Sequence, residues 1–191
     1  MLKRDRVGGL IRKHLTEDAL VIGGLGSAGR TWREQLAPHA SYYASDPMGL
    51  GLTMALGLAL AQPSRQVFYL GGDGDLVMNL GGLLTVVGSG VRNLKIGIFD
   101  NRRYETGGGQ SLAGADHYSL AGIARQAGFP YAVAADSDDN LEDLIKEFLA
   151  QPGLAFVAFR IVIEASPYGP PPVWSQAEDR AVFMRKLAGE I

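Results

Sequence analysis

The segment QVFYLGGDGD, residues 66–75, decides the fold. Its first residues form an apolar run of the kind found in strands that are buried on both faces, and two glycines and an aspartate end the run. No charged residue follows between positions 76 and 88, as in a helix that is covered on all sides. A buried strand, a glycine turn and a helix in this order are typical of a parallel α/β sheet, where ligands bind at the carboxyl ends of the strands.

The same alternation continues in both directions along the chain. Apolar runs predict strands over residues 19–24, 41–45, 66–72, 94–100, 131–135 and 154–163. The segments between them predict helices over residues 6–15, 28–36, 48–62, 76–88, 120–127 and 140–150. The sequence therefore predicts an α/β fold with a doubly wound, mostly parallel sheet and helices on both faces. We expect one domain over residues 1–191, in which 166–191 form a proline-rich arm and a C-terminal helix from about residue 175 to 187.

The composition excludes several classes of function. The 191 residues carry 18 Lys and Arg against 20 Asp and Glu, a net charge of −2, which argues against nucleic-acid binding and against a polybasic membrane tether. The chain has no cysteine, so disulfides, thiolate nucleophiles and cysteine-ligated metal centres are excluded. The N-terminus lacks the apolar block of a signal peptide, the longest apolar stretch (47–61) is too short and too rich in glycine to span a bilayer, and we expect a cytoplasmic protein.

Polar residues follow two neighbouring strands of the predicted sheet. Asp73 comes directly after the strand at 66–72, and Asp100 and Asn101 stand at the end of the strand at 94–100. Because the carboxyl ends of parallel strands meet at one edge of a sheet, we expect these side chains to lie close together. Their oxygens, with one nearby carbonyl, suit Mg²⁺ that shares a diphosphate. A helix cap at Asp73 and a turn at Asn101 are the structural alternatives.

A second glycine motif occurs earlier in the chain. GLGSAG at residues 24–29 follows a predicted strand and precedes a predicted helix, and Asp46 comes after the next strand. This arrangement matches the dinucleotide-binding fingerprint, in which the acidic residue binds a ribose hydroxyl. The motif is weak in a chain with 26 glycines. An NAD-binding protein stays an alternative, although it leaves Asp73 and Asn101 without a function.

The pair formed by GDG at 72–74 and DN at 100–101 resembles the diphosphate-binding motif of thiamine diphosphate enzymes. SDPMGLG at 45–51 resembles the loop that places a bulky apolar residue beneath the bent cofactor of these enzymes. YETGGGQ at 104–110 resembles a loop of the sulfopyruvate and phosphonopyruvate decarboxylases. The resemblance implies the thiamine diphosphate-binding fold in its diphosphate-type domain.

The resemblance also implies roles for single residues. The side chains of Asp73 and Asn101 and the carbonyl of Arg103 would hold Mg²⁺. The residues implied in cofactor binding are Asp46, Met48, Gly72, Asp73, Gly74, Asp75, Asn101, Arg103 and Tyr104. Asp75 stands where the family has a small residue, which adds a negative charge beside the diphosphate. Met48 would bend the cofactor, and we assign it as a catalytic candidate together with Gln110 and His117, which lie near the glycine-rich loop.

The function implied is that of the thiamine diphosphate- and Mg²⁺-binding subunit of a 2-oxo-acid decarboxylase. A separate pyrimidine-binding-domain subunit would supply the catalytic glutamate, so the chain should be inactive alone. The charges of Arg102, Arg103 and His117 favour a small anionic 2-oxo acid with a second acidic group, such as a sulfonate or phosphonate. A carboligating or aldehyde-transferring subunit and a non-catalytic cofactor-binding subunit are alternatives with the same cofactor residues.

The uncharged helices predicted over 48–62 and 76–88 indicate a subunit interface. A helix that is apolar all round must be covered all round, and a domain of this size can hardly cover both. We therefore expect a hetero-oligomer with the pyrimidine-domain subunit, and homo-oligomers through the same faces when the chain is isolated.

Overall fold

A parallel sheet forms the centre of the fold. The computed structural model describes residues 1–35, 38–44, 48–164 and 176–191. These residues form the strands β1 (Leu20–Gly23), β2 (Ala40–Tyr43), β3 (Val67–Gly72), β4 (Leu94–Asp100), β5 (Arg103–Tyr104), β6 (Gln110–Ser111), β7 (Tyr131–Ala135) and β8 (Ala155–Arg160). All except β5 and β6 belong to one sheet with the order β2-β1-β3-β4-β8-β7, in which every pairing is parallel. Strands β5 and β6 form a short antiparallel hairpin.

Helices cover both faces of this sheet. The described residues form α1 (Arg4–His14), α2 (Ser27–Glu34), α3 (Gly51–Ala61), α4 (Asp73–Val77), α5 (Gly81–Gly88), α6 (Leu120–Ala127), α7 (Leu141–Ala150) and α8 (Gln176–Leu187). Helices α1, α2 and α7 pack on one face around Trp32 and Phe148. Helices α3, α5, α6 and α8 pack on the other face around Leu56 and Phe156. The predicted doubly wound α/β fold is confirmed.

The predicted helix over 76–88 is wrong as a single element. The chain forms α4 and α5, with tight turns around Asn79 between them. Asn79 Nδ2 donates to Gly49 O at 2.9 Å, so a contact with a distant segment fixes the break. Helix α3 begins at Gly51 and not at residue 48, because Gly49 has a φ of +94°, which no right-handed helix contains.

Other differences lie in the loop after β4 and near the C-terminus. The hairpin of β5 and β6 was not predicted, because strands of two residues carry no hydrophobic period. The proline-rich arm lies outside the described residues, and a single domain over 1–191 stays a prediction. Helix α8 packs on β2, where the rings of Phe183 and Tyr42 are 5.9 Å apart. Among the described residues no helix is both long and apolar enough to cross a bilayer.

The sheet topology opens a crevice between β1 and β3. From β1 the chain passes to β2 on one side and later to β3 on the other, and ligands bind where the strand order reverses in this way. Gly72 of β3 pairs in register with Phe99 of β4, so the residues that follow these strands are neighbours. The N-terminal segment reaches the same edge, because Leu2 pairs with Ile161 beyond β8.

Candidate functional site

A cleft lies at the carboxyl edge of β3 and β4. The loop after β1, the residue Met48, the start of α4 and the segment from the end of β4 into the hairpin all contribute to it. Its lining residues are Leu25, Ser27, Met48, Gly72, Asp73, Gly74, Asp75, Phe99, Asn101, Arg103, Tyr104, Glu105 and Thr106. The structure therefore brings together all the residues predicted to bind the cofactor except Asp46, which lies outside the described residues.

Asp73 is a buried carboxylate at the first position of α4, with 2% of its surface exposed. Its Oδ1 accepts a hydrogen bond from Gly74 N at 2.8 Å, and its Oδ2 accepts one from Arg102 N at 2.5 Å. Burial raises the pKa of Asp73 to about 7, and the neighbouring Asp100 adds to the shift. Among the described residues no side-chain cation pairs with Asp73, whereas Asp100 pairs with Arg160 at 3.0 Å. A buried carboxylate without a counter-charge is a candidate for binding a cation.

Asn101 is held in one orientation by its neighbours. Its Nδ2 donates to Glu105 Oε2 at 2.9 Å, and the same oxygen accepts hydrogen bonds from Arg4 at 2.6 Å and Ser27 at 3.1 Å. Its Oδ1 accepts from Arg103 N at 2.8 Å. Because Glu105 can only accept when ionised, the amide nitrogen of Asn101 faces Glu105 and the oxygen is directed the other way. Glu105 therefore sets which atom Asn101 presents to the cleft.

The turn after Asn101 brings a backbone carbonyl close to α4. Arg102 has a φ of +61°, a left-handed conformation that is costly for a residue with a Cβ. This turn directs Arg102 N to Asp73 and leads into Arg103 and Tyr104. A Cβ added to Gly74 would lie 2.8 Å from Tyr104 Cδ1 and 3.5 Å from Arg103 O, so only glycine fits there without a shift.

The oxygen atoms at this edge form a donor set for a hard divalent cation. They are the carboxylate of Asp73, the amide oxygen of Asn101 and the carbonyl of Arg103, which are ligand types that Mg²⁺ accepts. Within the described residues no three His, Asp or Glu side chains cluster as a metal site, so the set is of mixed type. A set of three oxygen ligands leaves further coordination positions of an octahedral cation for phosphate oxygens. The residues therefore fit a metal that is shared with a diphosphate.

The comparison with protein families decides the identity of this site. The profile described as "Thiamine pyrophosphate enzyme, C-terminal TPP binding domain" matches residues 25–159. The chain belongs to this family. Its cofactor is accordingly thiamine diphosphate, and the matched range contains every described residue of the cleft.

Relatives of this thiamine diphosphate domain include decarboxylases. The chain is 38% identical over 141 residues to the sulfopyruvate decarboxylase subunit beta of Methanothermobacter thermautotrophicus, across 74% of this chain and 72% of that one. It is 32% identical to the phosphonopyruvate decarboxylase of Streptomyces viridochromogenes, across 77% of this chain and 36% of that one. A solved structure from Mycobacterium smegmatis, described as a thiamin diphosphate-dependent enzyme, shares the fold with a TM-score of 0.70 at 19% identity, across 85% of this chain and 32% of that chain.

Two acidic residues of the thiamine diphosphate domain have different surroundings. Asp73 accepts hydrogen bonds from two backbone amides and is one of the three oxygen donors described above. Asp75 accepts hydrogen bonds on both carboxylate oxygens, at 2.5 Å from Gly49 N and at 2.5 Å from Tyr69 Oη. The sequence predicts a free negative charge beside the diphosphate at this position, and the structure instead engages that charge in contacts within the protein.

Two catalytic candidates lie away from the cleft. Gln110 and His117 are exposed and do not line it, whereas Met48 is half-buried and does. The Arg102 guanidinium pairs with Asp116 instead of facing the cleft alone. The side chain of Arg103 donates to a carbonyl of the glycine-rich loop at 2.9 Å. The catalytic roles of Gln110 and His117 stay predictions.

The glycine motif at 24–29 has a packing function in this domain. Gly29 N donates to Gly24 O at 2.9 Å, and a Cβ on Gly29 would lie 2.4 Å from that oxygen. Gly26 has a φ of +74°, and a Cβ there would lie 2.4 Å from Thr106 Oγ1. These close approaches bring the loop after β1 against the hairpin, and the NAD-binding interpretation is wrong for a member of this family. A glycine motif at a strand end was the signal that could have placed Leu25 and Ser27 in the cleft.

Proposed function

We propose that the chain is the cofactor-binding subunit of a decarboxylase for a small anionic 2-oxo acid of the sulfopyruvate or phosphonopyruvate type. One observation carries the proposal. Asp73, Asn101 and Arg103 line one cleft in a chain that is 38% identical to a sulfopyruvate decarboxylase subunit beta. The neighbouring turn is strained at Arg102, as is common where a fold is adapted to a ligand.

In the proposed reaction the residues of this chain bind and orient. Bound thiamine diphosphate supplies the electron sink for the carbon that loses CO₂. Asp73, Asn101 and the carbonyl of Arg103 would hold Mg²⁺, whose charge would offset that of the diphosphate. Glu105 orients the amide of Asn101 through the hydrogen bond from Nδ2, and Met48 would give the cofactor an apolar support. The chain thus provides position and electrostatics, not a group that breaks bonds.

Met48 gives the first prediction for this function. Met48→Ala should lower kcat of the assembled enzyme by about 10- to 100-fold, because a cofactor that loses its apolar support loses the alignment of its reactive groups. The Kd for thiamine diphosphate with Mg²⁺ should change by less than about threefold, since the diphosphate contacts remain. Steady-state kinetics and titration calorimetry measure the two quantities.

Met184→Ala is the matched control for this prediction. Met184 lies on α8, is 54% exposed and does not line the cleft, so its loss should leave both quantities unchanged. Wild-type kcat in Met48→Ala would show that Met48 is an ordinary packing residue.

The substrate class gives the second prediction. The assembled enzyme should show kcat/KM for sulfopyruvate or phosphonopyruvate at least about tenfold above that for pyruvate, because a second anionic group is attracted by cations beside the cleft.

Arg103→Met should lower this ratio of kcat/KM values while it leaves the Arg103 carbonyl in place. Arg12→Met on α1 is the control, since Arg12 is exposed and its helix lies on the other face of the sheet from α4 and α5. CO₂ release measures all rates, and a preference for pyruvate would refute the substrate class.

A separate subunit is part of the proposal. The chain spans 72% of the sulfopyruvate decarboxylase subunit beta but 36% of the phosphonopyruvate decarboxylase, so most of the second protein has no counterpart in these residues. We infer that a pyrimidine-domain subunit supplies the glutamate that activates the cofactor. The surface to receive it is formed by α3 and α5, where Leu60 is 55% exposed and Leu84 is 63% exposed. Neither helix contains a charged residue. A cytoplasmic location stays a prediction.

A further inference from the structure

The segment that carries Met48 is held through the backbone of Gly49. Gly49 N donates to Asp75 Oδ1 at 2.5 Å, and Asn79 Nδ2 donates to Gly49 O at 2.9 Å. The backbone N–H and C=O of Gly49 are thus both bonded to side chains, one from Asp75 in α4 and one from Asn79 just after this helix. Gly49 has a φ of +94°, and a Cβ there would lie 3.0 Å from Asn79 Cβ, so the segment is closely fitted to these partners.

Asp75 connects this segment to the centre of the sheet. Its second oxygen accepts the hydroxyl of Tyr69, a residue of β3 with 1% of its surface exposed. Burial raises the pKa of Tyr69 well above its usual range, and the charge of Asp75 adds to this, so the hydroxyl keeps its proton and donates. Both donors to Asp75 are neutral, and each hydrogen bond to an ionised acceptor is of the stronger kind.

The hydroxyl of Tyr69 occupies a place that three glycines leave free. A Cβ added to Gly24, Gly51 or Gly71 would lie 3.2, 2.9 or 2.3 Å from this oxygen. Gly24 directly follows β1, Gly51 begins α3 and Gly71 lies in β3. The position of Tyr69 Oη is therefore determined by three elements at once, and it is a rigid reference point for Asp75.

We propose that Asp75 is a positioning residue, which transmits the fixed position of Tyr69 to Gly49 and thereby sets where Met48 stands in the cleft. The inference rests on the proposed function of Met48. It assigns to Asp75 an action through another residue and not a contact with cofactor or substrate. Each carboxylate oxygen of Asp75 already accepts a hydrogen bond from a donor of the protein, and these two bonds account for the direction of the side chain without a ligand.

A first experiment tests the positioning without any measurement of turnover. Asp75→Ala removes the acceptor for Gly49 N–H, so the exchange rate of this amide in the chain should rise at least about tenfold by residue-resolved NMR. Asp75→Asn keeps an acceptor oxygen and should restore much of the protection. Tyr69→Phe removes the reference contact and should give an intermediate rate. Asp143→Ala on α7, where the aspartate is exposed, is the control and should leave the Gly49 amide unchanged.

A second experiment tests whether Asp75 acts through Met48. In the assembled enzyme Asp75→Ala should lower kcat by about tenfold and change cofactor Kd little. The double variant with Met48→Ala should be no slower than Met48→Ala alone, because the two residues act in one chain of contacts. The proposal would be overturned if the kcat losses of the two single variants multiply in the double variant, or if the Gly49 amide of Asp75→Ala exchanges at the wild-type rate. If Met48→Ala itself keeps full turnover, the function proposed for Met48 is refuted, and the Gly49 exchange rate still decides the positioning. Should Asp75→Ala fail to fold, Tyr69→Phe provides the same two readouts.

Discussion

Asp73→Asn should lower the affinity for thiamine diphosphate in the presence of Mg²⁺ by more than about 100-fold. Loss of a residue that only hydrogen-bonds to a metal ligand already lowers metal affinity by about 10- to 100-fold. Asp73 is proposed as a ligand itself, so its loss should have a larger effect. It is also the only charged member of the donor set, since the other oxygens come from the Asn101 amide and the Arg103 carbonyl. The substitution therefore removes the charge that attracts the cation.

The Asp73→Asn variant should remain folded in the absence of metal and cofactor. An asparagine oxygen can still accept a hydrogen bond from Gly74 N or Arg102 N, the two donors that Asp73 meets in the structure. The variant also relieves the burial of a charge, because burial raises the pKa of Asp73 to about 7. We expect a melting temperature without ligands within a few degrees of that of the wild type. Mg²⁺ with thiamine diphosphate should raise the melting temperature of the wild type and leave that of Asp73→Asn unchanged.

Titration calorimetry and thermal unfolding measure these effects side by side. Asp143→Asn is the matched control, because Asp143 is an exposed aspartate of α7 whose ion pair with Lys146 lies away from the cleft. Undiminished binding by Asp73→Asn would show that the metal is held elsewhere and would refute the donor set.

The parts of this site that the sequence predicts are those that follow from local pattern and topology. Six apolar runs give the strands, and parallel strands bring their carboxyl ends together. Asp73 and Asn101 directly follow two such strands, so their proximity needs no knowledge of side-chain contacts. This is why the two side chains of the donor set could be named from residue positions, whereas the carbonyl of Arg103 was implied only by the family resemblance.

The parts that the sequence does not predict depend on contacts between distant segments. Arg4 and Glu105 are 101 positions apart and meet because Leu2 joins the edge of the sheet at Ile161. The break between α4 and α5 depends on Asn79, whose partner is 30 positions away. No period or motif encodes either contact.

Asp75 shows the same limit for the function of one residue. Its place two positions after Asp73 suggests a charge beside the diphosphate. The direction of its side chain is decided by the Tyr69 hydroxyl, which three glycines from separate elements accommodate. The sequence shows which chemistry a residue type can perform, but the direction of its side chain depends on contacts in the packed structure.

The second large effect concerns the partner subunit. The chain alone should release no measurable CO₂ from any 2-oxo acid, and addition of the pyrimidine-domain subunit should restore decarboxylation. The cleft is lined by the proposed metal ligands, but its described lining residues offer one glutamate, Glu105, which is already bonded to Arg4, Ser27 and Asn101. We therefore expect the glutamate that activates the cofactor to come from the partner subunit.

The surface of α3 and α5 explains how one binding event could both cover the site and complete it. Leu60 and Leu84 are exposed, and the exposed positions Gly57, Gly81 and Gly88 on the same helices allow a partner helix to approach closely. Both helices adjoin the elements that form the cleft, because α3 follows Met48 and α5 follows α4. Burial of this surface removes apolar area from water and excludes solvent from the cofactor.

Reconstitution with increasing partner concentration tests this prediction, with CO₂ release as the readout. Sedimentation measures the size of the assembly, which we expect to contain two chains of each kind. Leu84→Glu should raise the partner concentration needed for half-maximal activity at least about tenfold, because it places a charge in an apolar interface. Met184→Glu is the control, as Met184 is similarly exposed on α8, which packs on β2 away from the cleft. Full decarboxylation by the purified chain alone, not increased by the partner, would show that the activating acid lies within these 191 residues and that a partner on α3 and α5 is not needed for catalysis.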